Sequence, residues 1–188
     1  MPIAYVPMRR PGGALVLWLL CLASFGCSAD PKEEASQRPK TSLIDHQRWT
    51  KIAAATDPFL SMKPVDTQCG DGAFTIEDGV VEVDTGICDF LTLEQPSLEA
   101  VSAGDSLEVI LWHLTLVSLD GEAANGYAAV AIGGDVVWEI KVPIPSKEGF
   151  YQHRKTAPRR FEEGTPIHLH IHNHGANTWK LLSVSVGG

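Results

Sequence analysis

The chain reads as an all-β protein, an antiparallel β-sandwich preceded by one short helix. Three observations lead to this. From Ala73 onward, β-branched and aromatic residues come in short runs separated by glycine turns. No stretch after Ala55 carries the apolar period of a helix. Cys69 and Cys88 stand as an even pair outside any C-x-x-C motif, which in an oxidising compartment reads as a disulfide. At 188 residues, the chain is long enough for one domain of ordinary size plus a further segment.

That further segment is N-terminal. Arg9 and Arg10 precede the apolar run ALVLWLLCLA, Ala14 to Ala23, which at about ten residues is short of the roughly 18 to 20 that span a bilayer. It reads as an export signal, with Met8 as an alternative start to Met1. The following SFGCSAD resembles the processing site of bacterial lipoproteins, in which a small residue precedes a cysteine that is cleaved to the N-terminus and acylated. Ser24 stands where that family usually has Leu, Val or Ile. The resemblance implies a signal peptide over residues 1–26, a lipidated Cys27 and a membrane attached through its lipid. Ser28 after the cysteine fits sorting to the outer membrane. Ordinary cleavage after Ala29 is the alternative, and would release a soluble secreted or periplasmic protein.

Residues 27–43 then form a tether: SADPKEEASQRPKTS is charged and almost free of aliphatics, so it cannot offset its ordering entropy. LIDHQRWTKIAAA (Leu43 to Ala55) can place Leu43, Ile44, Trp49, Ile52 and Ala53 on one side of a short helix that stops at Asp57-Pro58. The disulfide-bonded sandwich occupies 44–188. Its first hairpin is FTIEDGVVEVDT, turning at Asp78-Gly79, and Gly133-Gly134 marks another. SLEVILWHLTLVSL, YAAVAIGGDVVWEIKV, TPIHLHIHNHG and TWKLLSVSV supply further strands. AGDSLEVILWH, AAVAIGGDVVWE and NHGANTWKLLSVSV resemble the strand phrasing of galactose-binding-like jelly-roll domains, which include many carbohydrate-binding modules. The resemblance spans most of residues 69–188. It implies a jelly-roll-like sandwich and a carbohydrate or another cell-surface ligand.

HLHIHNHGANTW holds four histidines on alternate positions, His168 to His174. On a strand, Ile167, Leu169 and Ile171 point into the sandwich, and His168, His170 and His172 share the opposite, open face about 6.5 to 7 Å apart. His174 falls in or beyond a turn set by Asn173 and Gly175. Such His-x-His strands resemble those supplying zinc ligands in carbonic anhydrases and metal ligands in cupins. Zinc or copper is the metal these donors fit, with His113 on a neighbouring strand as the further ligand. His113 shares a face with Leu107, Val109 and Leu111 and so needs a buried partner. Two other readings stay open: a polar-ligand surface formed with Trp112 or Trp179, and a solvated or structurally hydrogen-bonded face. Asp66, Asp71, Asp84 and Asp89, near Gly70, Gly72 and Gly86, are candidate oxygen donors for a structural calcium.

The formal charge of -8 argues against nucleic acid as partner. KVPIPSKEGFYQHRKTAPRR, by contrast, is basic and proline-rich and reads as a long irregular loop. Tyr151 and Arg154 in it are candidate contacts for an acidic glycan or a protein partner, or the loop folds back on the acidic half of the chain. No nucleophile elbow, P-loop, H-E-x-x-H or dinucleotide-binding motif occurs, so no catalytic residue is assigned. The sequence therefore points to an exported cell-envelope protein that binds carbohydrate or a cell-wall polymer. Its alternatives are a metal-binding protein and a structural envelope lipoprotein without a small ligand.

Overall fold

The computed structural model describes residues 38–118, 120–172 and 176–188. The expected signal peptide, Cys27, the tether up to residue 37 and His174 lie outside the described residues. Within them eleven strands form: β1 Thr41–Ser42, β2 Thr50–Lys51, β3 Phe74–Glu77, β4 Val80–Asp84, β5 Phe90–Pro96 and β6 Ser106–His113. They continue with β7 Ala124–Ile132, β8 Asp135–Ile144, β9 Gly149–Thr156, β10 Pro166–His172 and β11 Thr178–Val186. One sheet has the order β3-β4-β11-β6-β9, with β1 also pairing β11, and the other the order β2-β5-β10-β7-β8. Every pairing is antiparallel. From β4 onward the chain alternates between the sheets, broken only by the β7-β8 hairpin, in the jelly-roll manner.

The two glycine turns act as the sequence predicts. Asp78 and Gly79 both have positive φ, 52° and 79°, and so do Gly133 and Gly134, 57° and 85°. This two-residue conformation matches the twist of the flanking strands, and aspartate and glycine tolerate it. Between the sheets lies one core, to which β10 contributes Ile167, Leu169 and Ile171, β11 Trp179, Leu181, Val184 and Val186, and β7 Ala128, Val130 and Ile132.

The expected helix does not form. Leu43 to Ala55 is instead short strand and two 3-10 turns, His46–Arg48 and Ala54–Thr56. Tertiary bonds override the helical period: Leu43 donates its N–H to Val184 and accepts from Leu98, and Ile52 donates to Thr92. Leu43, Ile44 and Trp49 still enter the core. Contacts with the sandwich also reach back before residue 44. Thr41 and Ser42 pair with Val186 and Ser185, and Arg38 bonds to the Ala100 carbonyl and to Asp105. The basic stretch is likewise not a long irregular loop. Most of it is the end of β8 and all of β9, an edge strand paired along its length with β6.

Cys69 and Cys88 are disulfide-bonded. The bridge joins the turn-rich 60s to the start of β5. With the cysteines separated by 19 in sequence, closing that loop limits the unfolded chain and stabilises by about 3 kcal/mol. Replacing both cysteines by alanine is expected to lower unfolding stability by that amount in urea titrations, and an unchanged midpoint would show that the bridge contributes little.

Candidate functional site

The outer faces of the two sheets differ in what covers them. On the β2-β5-β10-β7-β8 sheet, register sets three rows: Glu94–His168–Ala131, Thr92–His170–Ala129 and Phe90–His172–Tyr127. The comb is on the outer face, as the alternation requires, but that face is not open. Ala129 and Ala131 are small enough to leave a hollow, and Phe59 fills it, packing with Phe90, Tyr127 and both alanines. The Phe59 ring stacks on His170 at 4.4 Å, and Phe90 meets the same imidazole edge-on at 4.5 Å. His170 is fully buried and His168 nearly so, which corrects the expectation of a solvated face. Burial lowers the pKa of both. That of His170 falls to about 3, the neighbouring His172 adding to the burial effect against an opposing Leu91 carbonyl.

Asp57 fastens this cover. Its Oδ1 accepts the Phe59 backbone N–H at 2.9 Å, and its Oδ2 accepts the Thr92 hydroxyl at 3.0 Å. Thr92 Oγ1 also lies 2.8 Å from His170 Nδ1. A carboxylate only accepts, so the single hydroxyl proton goes to Asp57 and the Thr92 oxygen accepts from His170 Nδ1–H. A neutral ring with its proton on Nδ1 carries a bare lone pair on Nε2, and that buried atom has no hydrogen-bond partner among the described residues.

His113 does not join the comb. It lies on β6, in the other sheet, and points inward with Leu107, Val109 and Leu111. The buried partners it needs are the Leu114 carbonyl, 2.7 Å from Nδ1, and the Tyr151 hydroxyl, 3.2 Å from Nε2, with the Trp179 ring 4.8 Å away. Trp179 is buried in the core, and Tyr151, partly buried, packs against that core. The calcium candidates are dispersed as well. Asp84 accepts from Gly86 N–H within its own turn, and Asp89 accepts from Gln68 N–H beside the disulfide. Among the described residues no three of His, Cys, Asp and Glu converge as a metal site.

The open surface is the outer face of the β3-β4-β11-β6-β9 sheet. Phe150, Trp112, Lys180, Glu82 and Thr75 stand directly opposite one another on successive strands, one row crossing β9, β6, β11, β4 and β3. Four inter-strand spacings make this row roughly 19 Å long. Phe150 is 59% exposed and Trp112 partly so. The Lys180 ammonium lies 5.9 Å from the Trp112 ring centre and bonds Glu77 at 2.5 Å and Glu82 at 2.7 Å. These carboxylates raise the Lys180 pKa, and Lys180 in turn lowers that of Glu77.

Four residues before Trp112 on β6, Glu108 accepts from Lys40, from Gln152 at 2.9 Å and from Arg154 at 2.7 Å. Arg154, a candidate contact, is thus tied to this face while remaining exposed. Phe150, Gln152, Lys180 and Glu82 are absent from the contact residues expected from sequence. The period-2 pattern of their strands is the only local signal, and it does not say which strands are neighbours.

No family model and no curated protein matches this chain. Among solved structures it is similar to a CBM4 structure, at 12% identity over 65% of this chain and 93% of that one, with a TM-score of 0.43. The N-terminal cellulose-binding domain of Cellulomonas fimi β-1,4-glucanase C gives 12% identity over 64% and 84%, with a TM-score of 0.42. A CBM27 carbohydrate-binding module characterised for specific mannan recognition gives 9% over 80% and 96%, with a TM-score of 0.41. These superpositions are partial, and the sandwich is defined by the strand pairing described above.

The Lys40, Gln152 and Arg154 bonds hold the Glu108 pKa down, from 4.5 to about 2. A depressed carboxylate contributes stability that is present above pH 4.5 and is lost as pH falls through about 2. Glu108→Gln is expected to cost about 1 kcal/mol at neutral pH, since Lys40 and Arg154 are about half exposed and solvent screens them. The variant should also lack part of the acid-side slope. Urea midpoints measured from pH 7 to pH 2 check this, and identical slopes for both proteins would contradict it.

Proposed function

We propose that this domain binds carbohydrate on the outer face of the β3-β4-β11-β6-β9 sheet. The observation that carries the reading is the Trp112–Phe150 cross-strand pair, an aromatic strip on an otherwise uncovered sheet face. Pyranose rings present apolar C–H faces that pack on aromatic planes and hydroxyls that need polar partners. Gln152, Lys180, Glu82 and Thr75 supply donors and acceptors around that strip. A straight row of about 19 Å suits an extended glycan better than a single sugar. The comb face is the weaker glycan surface, because Phe59 occupies the middle of it.

The reading includes export and attachment to the cell envelope through a lipid on Cys27, supported by the apolar run and the SFGCSAD stretch. A cell-wall polymer or surface glycan is the ligand such an anchored domain would meet.

Retention of the untagged domain on polysaccharide arrays and on isolated cell-wall polymers tests the binding. Trp112→Ala and Phe150→Ala are each expected to weaken it by about 2 kcal/mol, roughly thirtyfold, as for truncated aromatic anchors. Absence of retention on every polymer would overturn the reading. Independently, Cys27→Ala should move the protein from the membrane fraction to the soluble one, and persistence in membranes would rule out the lipid anchor.

A further inference from the structure

We propose that His170 and His172, with Met62 as a softer third donor, hold a single monovalent copper ion on the outer face of the β2-β5-β10-β7-β8 sheet. This site is independent of the carbohydrate reading, which concerns the opposite sheet.

The Asp57–Thr92–His170 chain is the first observation. It places the imidazole proton on Nδ1 and leaves Nε2 bare. An unsatisfied buried lone pair is costly in a hydrocarbon setting. The same arrangement, with one ring nitrogen bonded to an outer partner and the other free, orients histidines that bind metal. Phe59 and Phe90 hold the ring from two sides.

The second observation is spacing. His172 lies two residues along the same face, and the two ring centres are 6.2 Å apart. With a metal–nitrogen bond of about 2.0 to 2.1 Å, an ion lies about 3.2 Å from the centre of each ligating ring, so two rings sharing it stand at most about 6.4 Å apart. The observed separation falls within that limit and requires a nearly linear N–metal–N arrangement. Such low coordination suits monovalent copper, whereas zinc seeks four ligands in a tetrahedron.

Donor chemistry points the same way. Met62 closes the 3-10 turn Leu60–Met62, immediately after the Phe59 that stacks on His170. Met62 and His172 line one groove of about 470 Å³, together with Tyr127, Asn125 and Lys141. A thioether is a soft ligand that selects monovalent copper over harder ions. Lys141 and the Tyr127–Glu139 hydrogen bond, 2.6 Å long, complete the polar rim. The sequence-predicted site thus contracts: His113 is in the other sheet, and His168 turns its Nε2 toward Glu94, 3.9 Å away.

Untagged protein titrated anaerobically with monovalent copper against a chromogenic copper(I) chelator tests the proposal. Uptake of one equivalent is expected, with nitrogen and sulfur scatterers in the X-ray absorption spectrum. His172→Gln, at a partly exposed position that leaves the Phe59 packing intact, should lower affinity about a hundredfold, and Met62→Leu about tenfold. Thr92→Val keeps every ligand but removes the acceptor for Nδ1–H, and should cost ten- to a hundredfold. Failure of the wild-type protein to compete with the chelator, or equal affinity in His172→Gln with the fold intact by circular dichroism, would overturn the assignment.

Discussion

A strand in the middle of a sandwich sheet buries one side chain in two against the opposite sheet and must dispose of the rest on the outer face. In β10 that constraint falls on imidazoles. Ile167, Leu169 and Ile171 fill the core, so His168, His170 and His172 necessarily share the other side. The remainder of that side is built around them. Alanine at 129 and 131 on β7 provides the space, Phe59 fills it, and Asp57 joins the covering turn to β5 through Thr92. The cover follows directly on the segment that local periodicity assigns to a helix. A regular helix over Leu43–Ala55 would use its backbone N–H and C=O groups internally, whereas here Leu43 and Ile52 use theirs to pair with β11, Leu98 and β5.

The other sheet meets the same rule with different residues. Its inner side takes Trp179, Leu181 and His113, and its outer side is left to Trp112, Phe150, Lys180 and a set of carboxylates. Nothing in the described chain crosses over this row. Charges on it are matched within the face: Glu77 and Glu82 surround Lys180, and Glu108 gathers Lys40, Gln152 and Arg154. Side chains held in this way have little rotamer freedom left to lose. One sandwich therefore presents two chemically distinct exteriors, an aromatic and charged strip on one sheet and a covered imidazole pocket on the other.

Much of this architecture is legible in the sequence, because strand alternation and turn chemistry act over a few residues. The two-residue glycine turns, the comb's aliphatic inner edge, the Cys69–Cys88 bridge and the inward direction of His113 all follow from local spacing and type. Strand neighbourhood does not. The aromatic strip consists of residues from β6 and β9 that pair only because β9 docks on the edge of its sheet, and the basic proline-rich stretch carries no signal of that docking. His113 and the comb fall on opposite sheets for the same reason: sheet membership is set by how the whole chain winds. The chain of hydrogen bonds behind His170 joins residues 57, 92 and 170, and a contact spanning such separations leaves no mark on any one segment. What the sequence by itself determined is which side chains share a face. The tertiary structure alone decided which faces meet, which are covered and which stay open, since those outcomes depend on packing between elements that are distant along the chain.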